Sequence, residues 1–491
     1  MSSSNIILSS LNARYSHTNL ALRWLLANLG PLQAQAEILE MVIGIRPEVA
    51  VEKLLALKPR VIGFSVYIWN VEETTRIVQL LKVLAPDIKI VLGGPEVSHE
   101  ISGQIICQLA DHIITGPGEA AFARLCQQLL VGPKPLMKII PGDTASSEQL
   151  AGLETPYHFY SDADIAYRLT YFEASRGCPF KCEFCLSALD KTAWPFSLDQ
   201  TLADLDQLYT RGARTFKFID RTFNLKVDTS AAILRFFLER QRPDDPVFAH
   251  FEVIPDHLPD ALKELIVQFP RGALQFEIGI QTLNSSVQKL ISRRQDNVKA
   301  ETNVRWLVAH TQVHLHLDLI AGLPGEDLKS FARGFDLLVD WLGLTKGQHH
   351  EIQLGILKRL RGTPIIRHTD EYQLKFNPNP PYNVLATSTL AFEEMRRMER
   401  FARYWDLIAN REAEAGLDDA KSDLLARLLG GSLVAQPFER FMAFSDWLYA
   451  KTDTTFRIEK NRLSRLVLEW LDPAESSHEQ HGQESHSNNR Q

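Results

Sequence analysis

Three cysteines define the chemistry this chain can attempt. In Ser175-Arg176-Gly177-Cys178-Pro179-Phe180-Lys181-Cys182-Glu183-Phe184-Cys185, three of the five cysteines are separated by three and then two residues. A loop with that spacing can set three thiolates on three corners of a cubane iron–sulfur cluster, whereas four-iron clusters ordinarily take four cysteines. Three ligands leave one iron open, as a catalytic zinc site keeps one position for water or substrate. An open iron can chelate a small molecule and pass it an electron. The competing chemistry is a structural zinc knuckle, which wants a fourth Cys or His at finger-like spacing. Cys107 and Cys126 lie far upstream in segments that read as helices, and His158 is separated from the loop by a predicted strand. The spacing therefore favours the cluster.

With an aromatic residue, Phe184, directly before the last cysteine, the loop resembles that of the radical S-adenosylmethionine (SAM) superfamily. The resemblance implies a [4Fe-4S] cluster on Cys178, Cys182 and Cys185, with Phe184 beside it. It implies SAM bound to the open iron and cleaved reductively to methionine and a 5′-deoxyadenosyl radical. An external donor such as flavodoxin or ferredoxin would supply the electron. The chemistry then belongs to the cofactors, and the protein supplies position and exclusion of water.

The elements that must position this loop follow from periodicity. Residues 168–174 read as a strand delivering it, and 215–220, 247–253, 273–280, 313–320 and 351–357 as further strands. Helical patterns intervene at about 198–211, 228–239, 257–269 and 327–342. About six βα units are too few to close an eight-fold barrel, and the resembled superfamily has a matching partial (β/α)6 barrel. Functional residues are expected at the carboxyl ends of the strands. SAM is a zwitterion with a diol and needs polar partners there. By resemblance, Asp220 and Glu252 are acceptors, with Asn224 beside them, and Gln281 meets the ribose or carboxylate. The Gly322-Leu323-Pro324-Gly325 turn lies near adenine. Glu277 and Asp318 read as satisfied in-strand groups facing a helix. Arg176 reads as neutralising cluster charge, and Lys181 and Glu183 as exposed.

Upstream, residues 1–131 alternate strand and helix: strands at 5–11, 61–66, 88–94 and 112–115, with helices after each. This is the pattern of a parallel, doubly wound, Rossmann-like sheet. Ligands bind beyond the carboxyl ends of such strands, where Gly93-Gly94-Pro95-Glu96 and Gly116-Pro117-Gly118-Glu119 stand. A domain of this kind before a radical SAM loop resembles the cobalamin-binding subclass, and Gly93, Gly94, Gly116, Gly118 and Glu119 match its turns. That subclass often carries Asp-x-His-x-x-Gly with a cobalt-ligating His. In Tyr15-Ser16-His17-Thr18-Asn19-Leu20 only His17 matches, so it reads as a helix-entry or pocket residue. Tyr67, Trp69 and Asn70 read equally as corrin-face packing or as loop-edge packing.

Residues 132–167, punctuated by Pro and Gly, read as a linker, 168–365 as the radical SAM barrel, and 385–471 as a helical domain. Its leading helix, 392–407, carries Met395, Met398, Phe401 and Trp405 at helical spacing; in the resembled subclass such a domain caps the barrel mouth. The tail 472–491 is polar and reads as disordered. His314, His316, His349 and His350 lack a carboxylate at recognisable metal spacing. With 491 residues, 45% hydrophobic and net charge −7, the chain is globular, with no basic field for nucleic acid or membrane. No signal peptide or transmembrane run is evident, and the cysteine usage fits a reducing cytoplasm. The function expected is a cobalamin-dependent radical SAM enzyme that methylates an unactivated carbon of a small molecule. The alternatives are radical SAM chemistry without methyl transfer, or a non-catalytic iron–sulfur redox sensor.

Overall fold

The computed structural model describes residues 4–143, 146–190, 192–410, 418–430 and 436–472. The tail read as disordered lies, beyond Asp472, outside the described residues. No helix among them is long and apolar enough to cross a membrane.

Continuous apolar runs form the first sheet because helices cover both its faces. Its strands are β1 (Ile6–Asn12), β2 (Ala36–Val42), β3 (Val61–Ser65), β4 (Lys89–Gly93), β5 (His112–Thr115) and β6 (Ile139–Pro141). All are parallel, in the order β2-β1-β3-β4-β5-β6. One face packs on helices Pro47–Ala56 and Val71–Leu84, the other on Leu20–Ala27 and Glu119–Val131. The strand β2 escapes the sequence reading because it is partly exposed and carries two glutamates. The stretch read as a linker contributes β6, so the sheet does not end at His112–Thr115. Helices Ser147–Ala151 and Asp162–Tyr167 follow within the same stretch.

The second sheet is also parallel and six-stranded. It contains β7 (Thr170–Phe172), β10 (Thr215–Phe218), β11 (Phe248–Val253), β12 (Leu274–Gln281), β13 (His314–Ala321) and β14 (Glu351–Ile356). The order is β14-β13-β12-β11-β10-β7. Between β7 and β10, β8 (Ser175–Gly177) and β9 (Ala193–Pro195) form a separate antiparallel pair, and the cysteine loop is the loop of that hairpin. Alternation along β12 and β13 is strict. Phe276, Ile278, Leu315 and Leu317 face the covering helices, while Gln275, Glu277, Gln281, His314, His316 and Asp318 share the opposite, inner face. The lumen is therefore polar rather than filled by branched apolar layers.

The core centres on Phe251, fully buried, with ring centroids 3.8 Å from Phe223, 4.6 Å from Phe218 and 6.4 Å from Phe276. Among the described residues the helical region packs against the outside of the barrel, and its Met395 also approaches Gly322 at the end of β13. Helix Phe392–Trp405 sets Phe401 and Trp405 edge-on to Phe335 of helix Leu328–Trp341, at 5.3 and 4.8 Å. Asn410 donates to Ile352 O (2.9 Å) and accepts from Ile352 N (3.2 Å), closing the free edge of β14. The apolar face of Leu328–Trp341, with Phe331, Phe335, Leu338 and Val339, is buried by this cover. Phe251→Ala should destabilise the protein by about 3–5 kcal/mol, read as a lowered midpoint of urea denaturation.

Candidate active site

The three cysteines line one cavity of about 260 Å³. None is in a disulfide. Gly177, just before Cys178, has φ +94, and a Cβ there would overlap the Thr192 carbonyl, so the hairpin requires glycine at its turn into the loop. Burial raises the thiols of Cys178 and Cys182; at Cys182 the Arg293 guanidinium, 3.7 Å from Sγ, opposes this. Phe184, Arg221, Glu252, Glu277, Gln281, Arg293 and Asp318 share the cavity wall. Its lining contains no histidine and no fourth cysteine. That donor set lacks the fourth Cys or His of a structural zinc site and suits a cluster with one open iron.

The lumen below the cavity is ionised in a definite pattern. Arg221 Nη1 holds Glu252 at 2.8 Å, and burial raises the Glu252 carboxyl. Glu277 Oε2 lies 3.1 Å from His250 Nε2 and 3.9 Å from Lys217 Nζ. Burial would raise Glu277, but His250, Lys217 and His316 hold it low. Burial raises Asp318. His316 lies 3.2 Å from Glu351 and 3.4 Å from Asp318. Burial alone would lower His316; the neighbouring carboxylates push it up to about 9. The sequence reading of Glu277 and Asp318 as helix-facing groups is thus overturned, since strand register turns both to the cavity. Among the described residues no His, Cys, Asp and Glu cluster fits a metal ion.

Several expected SAM contacts are placed elsewhere. Asp220 is turned from the cavity: it accepts from Ala174 N (3.0 Å) and Ser175 Oγ (2.5 Å) and braces the entry to the cysteine hairpin. Its burial pushes the carboxyl up to about 7. Asn224 is consumed by the backbone, donating to Ile254 O (2.9 Å) and His257 O and accepting from Ile254 N (2.7 Å). Gly322 packs on the C-terminal region, where a Cβ would stand 2.5 Å from Val384 Cγ1. Gly325 faces Leu290 and Tyr372. Glu183 is buried rather than exposed, accepting from Ser292 Oγ (2.5 Å), His368 Nε2 (2.9 Å) and Arg367. Lys181 is exposed, as read.

A second cavity, of about 310 Å³, opens at the carboxyl ends of β3, β4 and β5. Gly93, Gly94, Gly116, Gly118 and Glu119 all line it, with Gly63, Ser65 and Tyr67. Gly94 has φ +108 and a Cβ there would stand 2.5 Å from Val66 O, so only glycine gives this flat wall. The barrel contributes Glu173, Arg176 and Ile219. Arg176 does not reach toward the cluster cavity; it bonds Glu119 Oε1 at 2.7 Å and Glu173 Oε2 at 2.9 Å. Glu119 Oε2 is buried without a hydrogen-bond partner. A glycine wall with an unpaired acceptor at its rim suits a large flat group fringed by amide donors, as a corrin is. His17 is not in the lining; its Nδ1 is 2.5 Å from Tyr171 Oη. Trp69 stacks on Tyr67 at 4.4 Å and is half exposed, while Asn70 is fully buried and bonds Tyr67 N, Leu11 O and Ser65 O.

A raised histidine stabilises the fold below its unfolded pKa, and that contribution is lost as pH rises through the folded value. The stability difference between wild type and His316→Gln should therefore be large at pH 6 and shrink as pH passes about 9. Urea midpoints at pH 6 and at a pH above that value measure it; an unchanged gap would contradict the charged lumen.

Two family models match the chain: the B12 binding domain over residues 10–126 and the radical SAM superfamily over 172–338. Among curated proteins it is similar to the cobalamin-dependent radical SAM methyltransferase TokK of Streptomyces tokunonensis, 24% identical over 363 residues, 66% of this chain and 51% of that one. It is also similar to the 2-(S-pantetheinyl)-carbapenam-3-carboxylate methyltransferase of Streptantibioticus cattleyicolor, 23% identical over 337 residues, 62% of this chain and 48% of that one. The chain spans about half the length of these curated relatives. Among solved structures, the cobalamin-dependent SAM radical enzyme OxsB aligns with TM-score 0.64 and 15% identity over 97% of this chain and 80% of that one. The methyltransferase TsrM of Kitasatospora setae, solved with cobalamin and a [4Fe-4S] cluster, aligns with TM-score 0.58 and 16% identity over 74% and 77%. At these identities the likeness shows the fold. The chain thus joins a B12 binding domain to a domain of the radical SAM superfamily.

Proposed function

We propose that the chain is a cobalamin-dependent radical SAM methyltransferase acting on an unactivated carbon of a small molecule. The observation that supports this most is a shared wall. Arg176 lines the glycine cavity and Cys178 the cysteine cavity, two residues on; Ile219 lines the former and Arg221 the latter. A radical generated on one side and a methyl group held on the other are thereby kept within one short reach.

Cys178, Cys182 and Cys185 hold the [4Fe-4S] cluster in this reading, with Phe184 beside it. Glu252, Gln281, Glu277 and Asp318 offer the acceptors that a SAM ammonium and ribose need. Asp220 and Asn224 act on the backbone that carries the loop. Gly93, Gly94, Gly116 and Gly118 give the corrin its flat wall, and Glu119 Oε2 takes a peripheral amide. When bound, cluster and SAM supply hydrogen abstraction and the corrin supplies the methyl group. Residues 1–131, 168–365 and 385–471 are taken as the B12, radical SAM and helical domains, with the electron drawn from a flavodoxin or ferredoxin in a reducing cytoplasm.

The test uses anaerobic protein reconstituted with iron, sulfide and hydroxocobalamin, desalted, then given SAM and dithionite. Retained corrin absorption, with both 5′-deoxyadenosine and S-adenosylhomocysteine formed, is expected. Cys178→Ala, Cys182→Ala and Cys185→Ala should each lose the cluster absorption and 5′-deoxyadenosine. Deoxyadenosine without retained corrin would replace methyl transfer by another radical SAM reaction, and neither product from a cluster-loaded protein would point to a redox sensor.

A further inference from the structure

The two cavities are joined by a second route that the shared wall does not include. The segment 359–368, just after β14, lines neither cavity but is hydrogen-bonded to a loop beside each. At one end it grips the loop that follows the Gly93-Gly94-Pro95 wall. Arg361 Nε donates to Glu96 Oε1 at 2.8 Å, and Arg361 Nη2 to Tyr382 Oη at 2.8 Å. Tyr382 Oη in turn donates to Glu96 at 2.7 Å. Arg359 Nη2 reaches Glu100 Oε2 at 2.9 Å, and Gly362 N reaches Glu100 Oε1 at 3.3 Å. Gly362 has φ +82, and a Cβ there would overlap the His99 ring, so the two loops meet without space for a side chain. Glu96 and Tyr382 are buried.

At its other end the same segment holds the cysteine loop. Ile365 N donates to Glu183 O at 3.0 Å. His368 and Arg367 both reach the Glu183 carboxylate. Glu183 N donates to Ile291 O at 3.0 Å, and Ser292 Oγ completes the set. Glu183 stands between Cys182 and Cys185, so its buried carboxylate fixes the middle of the ligand loop. Ile365, which opens this second grip, is fully buried. A segment this short, hydrogen-bonded at both ends and packed between them, does not move at one end alone.

We infer that residues 359–368 are a strap coupling the corrin cavity to the cysteine loop, with Glu183 the positioning residue at one end and Arg361 at the other. This rests on the cofactor reading above. A group seated against Gly93 and Gly94 holds the 95–100 loop, and through Arg361 and Ile365 holds Glu183 and the three thiols. Coupling of this kind is reciprocal. Each cofactor should strengthen retention of the other, by a factor on the order of fivefold or more.

Two measurements on the full chain test it. Iron release from the reconstituted cluster to a chelator is timed with and without hydroxocobalamin, and hydroxocobalamin affinity is measured by absorption titration with and without the cluster. In wild type, corrin should slow iron release and the cluster should tighten corrin binding by a comparable factor. In Arg361→Met, both effects should vanish while each cofactor still binds alone; if that variant does not fold, Arg359→Ala should weaken both effects together. Independent binding of the two cofactors in wild type, or equal coupling in Arg361→Met, would overturn the strap. Failure of wild type to retain corrin or cluster at all would instead overturn the cofactor reading on which it rests.

Discussion

One guanidinium ties the glycine cavity to the start of the cysteine loop. Arg176 is clamped by Glu173 of the barrel and Glu119 of the first domain, with Nε also donating to Glu173 at 3.1 Å. Its face lies 5.1 Å from the Trp24 ring and 5.8 Å from Phe196. A planar fork can satisfy two carboxylates and stack on an aromatic ring at once, which lysine cannot. Burial makes the arrangement directional. Removing one partner of such a set typically costs about 3–5 kcal/mol, because the remaining charge is left uncompensated. Because Arg176 is two residues from Cys178, the contact that seats the glycine cavity against the barrel also sets where the cysteine loop begins.

Around that contact the two sheets play different parts. The first offers glycines at its strand ends, hence backbone and a flat wall. The second offers a polar lumen whose acids meet basic partners: Glu252 with Arg221, Glu277 with Lys217 and a hydrogen-bonding His250, and Glu351 and Asp318 with His316. Acids held by a protein partner in this way can exchange that partner for a ligand's ammonium. The helical region covers the outer face of the barrel and the edge of β14.

What was legible in the sequence was local. Ligand spacing in Cys178–Cys182–Cys185 is carried by neighbouring residues, and alternation along β12 and β13 is visible within eight residues of each. The glycine turns are legible because Gly94 and Gly116 hold positive φ, which other residues rarely adopt. What failed was orientation. Asp220 and Glu252 both end strands and read alike, yet Asp220 turns to Ala174 N while Glu252 lines the cavity. Glu277 and Asp318 look like any in-strand acid until register with the next strand places them. Glu183 reads as exposed because the groups that bury it, Ser292 and His368, are 109 and 185 residues away. Gly322 and Gly325 were recognised as a turn, but the residues they approach belong to other segments.

The central claim is that cluster and corrin occupy adjoining cavities separated by the wall at 173–178 and 219–222. Electron paramagnetic resonance of the doubly reconstituted protein addresses it most directly, with cobalt as cob(II)alamin and the cluster reduced. The account predicts a cobalt signal broadened or split by the nearby cluster spin, and an unperturbed signal in Cys178→Ala. A cobalt spectrum identical with the cluster reduced and with it absent would contradict the shared wall and the methyl transfer built on it.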